Sequence, residues 1–98
     1  MNLFLCKLLP PRPTFPTDMT ADEQKVMAEH AIYWQNLAKK GLIIVVGPVL
    51  DPNGAWGVAI VDVENHDVIR VIGENDPAVK AGLKFEIYPM GPSWTFRS

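Results

Sequence analysis

Two residues of this chain have the right types to act together on a small molecule. His30 lies in the run His30-Ala31-Ile32-Tyr33-Trp34-Gln35-Asn36-Leu37, and Asp76 opens Asp76-Pro77-Ala78-Val79-Lys80-Ala81-Gly82-Leu83. An unperturbed imidazole titrates near ~6.5, so a neutral histidine accepts a proton from a phenol or an activated carbon at neutral pH. A carboxylate bonded to one ring nitrogen fixes the tautomer, leaves the other nitrogen as base and stabilises the imidazolium once it forms. The plain structural alternative is a core histidine bonded to a backbone carbonyl, with Asp76 capping a short helix that has Pro77 at its first position. Spacing alone favours that alternative, because purely structural groups also acquire such surroundings.

The other candidates carry weaker signals. Tyr33 and Trp34 have faces that stack on a flat ring, although aromatics at helical spacing are more often core, and that reading is expected to hold for at least one of them. Arg12 could meet an anionic substrate, yet a loop arginine usually does nothing specific. Pro10 to Pro16 offers PxxP spacing and is more simply a connection between strand and helix. Cys6, within a strand, is expected to be an inert thiol. His66, beside Asn65 and Asp67, reads as a solvated residue at a helix start. Two distant histidines and one cysteine at no ligand spacing give no metal site.

The elements that must position these residues follow from periodicity. Asn2 to Leu9 is apolar on both alternating sets apart from Lys7, which predicts a strand with both faces covered. Pro10, Pro11, Pro13 and Pro16 then hold an extended loop. Thr20-Ala21-Asp22-Glu23 has the form of a capping box, and Val26, His30, Tyr33, Trp34 and Leu37 recur at helical spacing up to Lys39-Lys40-Gly41. This predicts a helix from about Thr20 to Lys40 with His30 on its sheet-facing side. Leu42 to Val46, bounded by Gly47-Pro48, is the second strand; Asp51-Pro52-Asn53-Gly54 is a turn; Ala55 to Val63 is the third strand. Glu64 to Asn75 is the second helix, ended by Gly73 or by the break before Asp76-Pro77. Leu83 to Met90 alternates Phe85 and Ile87 against Lys84 and Glu86, the pattern of an edge strand with one wet face.

With 98 residues, 48% of them hydrophobic, the chain has material for one core, so a single domain spanning 1–98 is expected. A net charge of −2 without a Lys/Arg run argues against a nucleic-acid partner, whose phosphates require clustered basic side chains. No stretch approaches the roughly 20 apolar residues that span a bilayer, Met1 to Leu9 lacks the leader and cleavage site of a signal peptide, and the single cysteine cannot form an internal disulfide. A soluble cytoplasmic protein with no membrane partner is the expectation.

The order β-α-β-β-α-β matches the ferredoxin-like split unit, an α+β fold with a four-stranded antiparallel sheet and both helices on one side. Strands one to three are nevertheless apolar on both sets. A homodimer with sheets face to face would cover the second face, and the tail Gly91 to Ser98, with Trp94 and Phe96, could add to that cover or reach the partner.

At this point the chain resembles the YciI-like (YCII-related) family of small proteins, of the dimeric α+β barrel type, over most of its length. The resemblance is carried by His30 followed by Trp34, Leu37 and Gly41, by Gly47-Pro48 at the end of strand two, by Gly57 in strand three, and by Asp76-Pro77 with Gly82-Leu83 ahead of strand four. It implies that His30 and Asp76 are the family's conserved active-site pair, and Gly47 and Pro48 join Tyr33, Trp34 and Arg12 as substrate-binding candidates. The family's known enzymatic association is dehydrochlorination of a chlorinated hydroxyquinol; related barrels include muconolactone isomerases and small monooxygenases. Two features depart from the pattern: Ala78 stands where an aromatic often follows Asp-Pro, and the loop after strand one is unusually proline-rich.

With the resemblance added, the chemical reading of the pair is preferred. It is a lyase or isomerase, dehydrochlorinase-like, in which His30 abstracts a proton from a phenolic or enolisable small molecule, Asp76 orients it, and no cofactor is required. The rival reading is a non-catalytic dimeric module that binds a ligand or partner through the same cavity, since no metal cluster, phosphate loop or nucleophile elbow accompanies the pair. A purely structural subunit is a third reading, and it requires that no ligand-sized cavity exist.

Overall fold

The computed structural model describes residues 1–96. Four strands, β1 (Leu3–Leu9), β2 (Ile43–Val49), β3 (Trp56–Asp62) and β4 (Lys84–Pro89), form one antiparallel sheet in the order β2-β3-β1-β4. The helices are α1 (Phe15–Asp18), α2 (Ala21–Lys39), α3 (His66–Glu74) and α4 (Pro77–Lys80). This is the ferredoxin-like α+β arrangement, with β1 central and the two edges taken by β2 and β4.

Helix α2 starts where its capping chemistry allows. The Thr20 hydroxyl accepts from the Glu23 backbone N–H at 3.1 Å, and the Glu23 carboxylate accepts from the Thr20 N–H at 2.9 Å, so two backbone donors of the first turn are satisfied reciprocally. At the other end Gly41 adopts φ 81° and donates to the Ala38 carbonyl at 3.0 Å, a left-handed exit that an L side chain would strain. Helix α3 is capped by the Asn65 side chain, which accepts from the Val68 N–H at 3.1 Å. Its Gly73 lies against β4 so closely that a Cβ there would come within 2.4 Å of the Phe85 ring.

Strand register decides which side chains meet the helices. Phe4, Cys6 and Leu8 of β1 pair with Val61, Ala59 and Gly57 of β3, and these positions face α2 and α3. The core gathers there, with Cys6, Val61 and Ile69 fully buried and Trp34 and Leu37 packed down from α2. On the opposite face lie Leu5, Lys7, Val58, Ile60, Val45 and Tyr88. Within the single chain this face is uncovered: Val45 and Tyr88 are half exposed and Leu5, Lys7 and Leu9 only half buried, so the double burial expected of β1 is not achieved by the chain itself. Trp94 and Phe96 of the tail are exposed as well, and Arg97 and Ser98 lie outside the described residues.

Two elements differ from the sequence expectation. The proline-rich segment is not extended throughout: Phe15–Asp18 makes a turn of helix, with Pro16 in its first turn where no N–H is needed and Phe15 buried as its anchor. Strand β2 does not stop before Gly47-Pro48 but runs on to Val49, which is possible because β2 is an edge strand and the missing Pro48 N–H costs no ladder bond on its open side. A bulge between Ile43 and Val45 bends this edge. Among the described residues no helix is long and apolar enough to cross a membrane.

Candidate active site

His30 and Asp76 are 46 positions apart in the chain and in contact in space. His30 Nδ1 lies 2.9 Å from both oxygens of the Asp76 carboxylate. Helix α2 carries the imidazole, and the tight turn between α3 and α4 delivers the carboxylate, whose backbone N–H is held by the Gly73 carbonyl at 3.1 Å. Asp76 is fully buried, yet both of its oxygens are well supplied with donors. Oδ1 accepts from the Ala78 N–H at 2.8 Å, and Oδ2 accepts from the Trp34 indole N–H at 2.7 Å. Burial by itself would push the Asp76 carboxyl up, but the hydrogen bonds from His30, Trp34 and Ala78 together outweigh it and hold the carboxyl below its ordinary range.

The tautomer of His30 follows from that ionisation. A carboxylate only accepts, so the proton between the two groups belongs to Nδ1, and in the neutral ring Nε2 keeps its lone pair. Among the described residues Nε2 has no hydrogen-bond partner, and it is not sealed off either, since no buried side-chain nitrogen or oxygen lacks a partner. His30 lines a cavity of about 430 Å³ between α2, the sheet and the proline-rich segment, within the size range of small-molecule sites. Cys6 and Ala59 form its floor, Phe15 and Trp34 its walls, and the exposed Gln35 and Pro48 part of its rim. No Asp, Glu, Lys or Arg lines it among the described residues.

The remaining sequence candidates divide clearly. Trp34, Gly47 and Pro48 line the cavity with His30. Tyr33 does not: it points towards α3, where its hydroxyl donates to the Ile72 carbonyl at 2.6 Å, and burial first, then the charge of Asp76, raises its phenol above the ordinary value. Arg12 is also outside the cavity lining. Its guanidinium donates to Asp18 Oδ1 at 2.8 Å, to the Asp18 carbonyl at 2.9 Å, and to the two Glu23 oxygens at 2.7 and 2.9 Å, so four of its five N–H groups tie the proline-rich segment to the start of α2. The Cys6 thiol is pushed up to about 12 by burial, which leaves it protonated and unreactive at neutral pH.

Three site features escaped the sequence reading. Gln35 at the rim carried no signal of its own. The Ala78 N–H was implicit in the capping alternative for Asp76, and the structure shows capping and pairing to be compatible: one oxygen caps α4 while the carboxylate also binds His30. The Trp34 indole bond could have been anticipated, because His30 and Trp34 are four residues apart and so share a face of α2.

The family model of the YCII-related domain matches residues 5–91. The chain belongs to the YCII-related domain family. Among solved structures it is similar to a 5-chloro-2-hydroxyhydroquinone dehydrochlorinase from Burkholderia phenoliruptrix in complex with 2,5-dihydroxybenzoquinone, with a TM-score of 0.67 and 24% sequence identity over 95% of this chain and 93% of that one. At that identity the likeness establishes a shared fold. Among curated proteins none matches this chain.

Proposed function

We propose that this YCII-domain protein is a small-molecule enzyme of lyase or isomerase type, with His30 as general base and Asp76 as its orienting partner. The observation that carries the reading is the unshared Nε2 of His30 at an apolar cavity, with Nδ1 fixed against an ionised, fully buried carboxylate. A ring substrate places an acidic hydroxyl or an activated C–H against Nε2. The proton moves to Nε2, and the electrons of the broken bond enter the ring. In an elimination the ring reacts as its keto tautomer, in which the chlorine-bearing carbon carries a hydrogen and is tetrahedral, and the electrons expel chloride with its bonding pair; in an isomerisation the proton returns at another carbon. Neither route changes the oxidation state of the reacting pair overall, so the chemistry calls for no redox cofactor.

The lining narrows the substrate class. With no Asp, Glu, Lys or Arg lining the cavity among the described residues, a polyanion would lose its hydration without compensation, whereas a neutral phenolic or enolisable ring is favoured by the aromatic and aliphatic walls. The dehydrochlorinase that shares the fold acts on a ring of this kind. A panel of chlorinated hydroxyquinols, catechols and lactones, followed in parallel by calorimetry and by product formation, tests the assignment. Product from at least one ring supports it; binding without product at any pH would establish the non-catalytic module instead.

The open sheet face supports a homodimer as the working unit, because Val45, Tyr88, Leu5 and Ile60 present apolar surface there. Lys7 stands in the middle of it with its ammonium 5.0 Å from the Trp56 ring and 5.6 Å from the Tyr88 ring, which lets its charge lie flat against aromatic faces. Light scattering at micromolar concentration should give twice the chain mass; a monomer across that range contradicts the dimer.

A further inference from the structure

We propose that Trp34 is a positioning residue that sets the proton affinity of His30 through Asp76, beyond its part in packing. The inference rests on the general-base reading of His30 and concerns how that base is tuned. Trp34 Nε1 donates to Asp76 Oδ2 at 2.7 Å, the same oxygen that His30 Nδ1 approaches at 2.9 Å, so indole and imidazole compete for one centre of negative charge. Both donors ride on α2, four residues apart, and the indole is held by packing against Phe85 and Tyr33 at ring distances of 6.1 and 6.2 Å. A phenylalanine would serve that packing. The N–H is what a phenylalanine lacks, and it is directed at the carboxylate.

The electrostatic consequence has a definite sign. A carboxylate whose charge is answered by three donors attracts the imidazolium proton less than one answered by two. By this argument the Trp34 N–H opposes proton uptake at the paired imidazole, and its removal should favour it. Few other groups can exert this control. From α2, Tyr33 feels the charge of Asp76 but donates its own proton to the Ile72 carbonyl. From β1, Cys6 is a neutral thiol, and from β4, Phe85 is apolar. Glu74 of α3 and Lys80 of α4 are exposed, and α4 contributes only the Ala78 N–H.

The test is a ¹⁵N NMR titration of the imidazoles in the full chain, which has only two histidines, so His66→Gln assigns the His30 signal. Trp34→Phe should raise the proton affinity of His30 by about three- to tenfold, the scale of losing one charge-assisted bond next to the titrating pair. If the phenylalanine variant does not fold, the sulfur analogue of tryptophan, with S in place of the indole N–H, is incorporated at position 34 in a chain carrying Trp56→Phe and Trp94→Phe, and the same shift is expected. A His30 titration within twofold of the chain with an intact indole at position 34 would overturn the proposal, since a packing role alone moves stability and not this equilibrium. The titration needs no substrate, so it stands or falls separately from turnover; were His30 shown not to be a base, the tuning would still be measurable.

Discussion

The chain builds two polar clusters beside the same helix, and they differ in what they leave unspent. In the first, Arg12 joins Asp18 and Glu23 at the start of α2: four contacts, partly exposed, with the guanidinium occupied on both sides and the Glu23 carboxyl drawn down to about 2, chiefly by its bond from Arg12. In the second, Asp76 is fully buried, takes bonds from His30, Trp34 and Ala78, and is itself saturated, but the histidine it holds keeps one nitrogen free beside a cavity. Saturation without a free group makes a clasp. Saturation behind one free group makes a candidate site.

The contrast is broken most severely at Asp76. Asp76→Ala strands the indole and Ala78 N–H groups and the Nδ1–H of His30 around an emptied, buried position, and should cost about 3–5 kcal/mol in urea unfolding, as expected when one partner of a buried polar pair is removed. It should also abolish any turnover. A loss below about 1 kcal/mol would mean that the carboxylate is not the keystone of this corner of the fold.

Acid gives a milder version of the same experiment. The folded Asp76 carboxyl lies below its unfolded value, so the unfolded chain binds the extra proton. The stability this group contributes is complete above the ordinary carboxylate range, near pH ~4, and is lost as pH falls through the lowered folded value. Unfolding free energy should therefore decline with falling pH in that window, and the decline should be shallower in Asp76→Asn. Equal slopes in the two proteins would remove Asp76 from the acid response.

The smallest effect belongs to the other cluster. Arg12→Met should leave turnover within about twofold of wild type and shift stability by less than Asp76→Ala does, with a dependence on salt, because exposed ion pairs are screened. A large loss of turnover would return Arg12 to the substrate-binding group and erase the distinction between clasp and site.

How much of this could be read in the sequence depends on whether the controlling interactions were local. Helix α2 was legible because Thr20 and Glu23 cap it within four residues and because its apolar period is regular; the strands were legible from β-branched runs and turn residues. Helix α1 was hidden, since prolines suppress the periodic signal and its stability comes from burying Phe15 against distant residues. The extension of β2 through Pro48 depended on its edge position, which only the sheet order reveals. At the site, His30 and Asp76 stood out by type and by the family pattern, whereas the separation of Tyr33 from Trp34 required the helix rotation to be known: of two adjacent aromatics, one turns to the Ile72 carbonyl and the other to the Asp76 carboxylate. The pairing of Arg12 was not legible because the Glu23 carboxylate, half of a capping box by its local pattern, also takes a bidentate guanidinium from eleven residues away.

The most direct measurement is the turnover of His30→Ala on whichever ring the substrate panel identifies, with circular dichroism confirming the fold and calorimetry confirming that the ring still binds. Loss of a general base should lower kcat by about 10²–10⁴-fold while leaving binding largely intact. Turnover within a few fold of wild type would show that the free nitrogen beside the cavity takes no proton from the substrate.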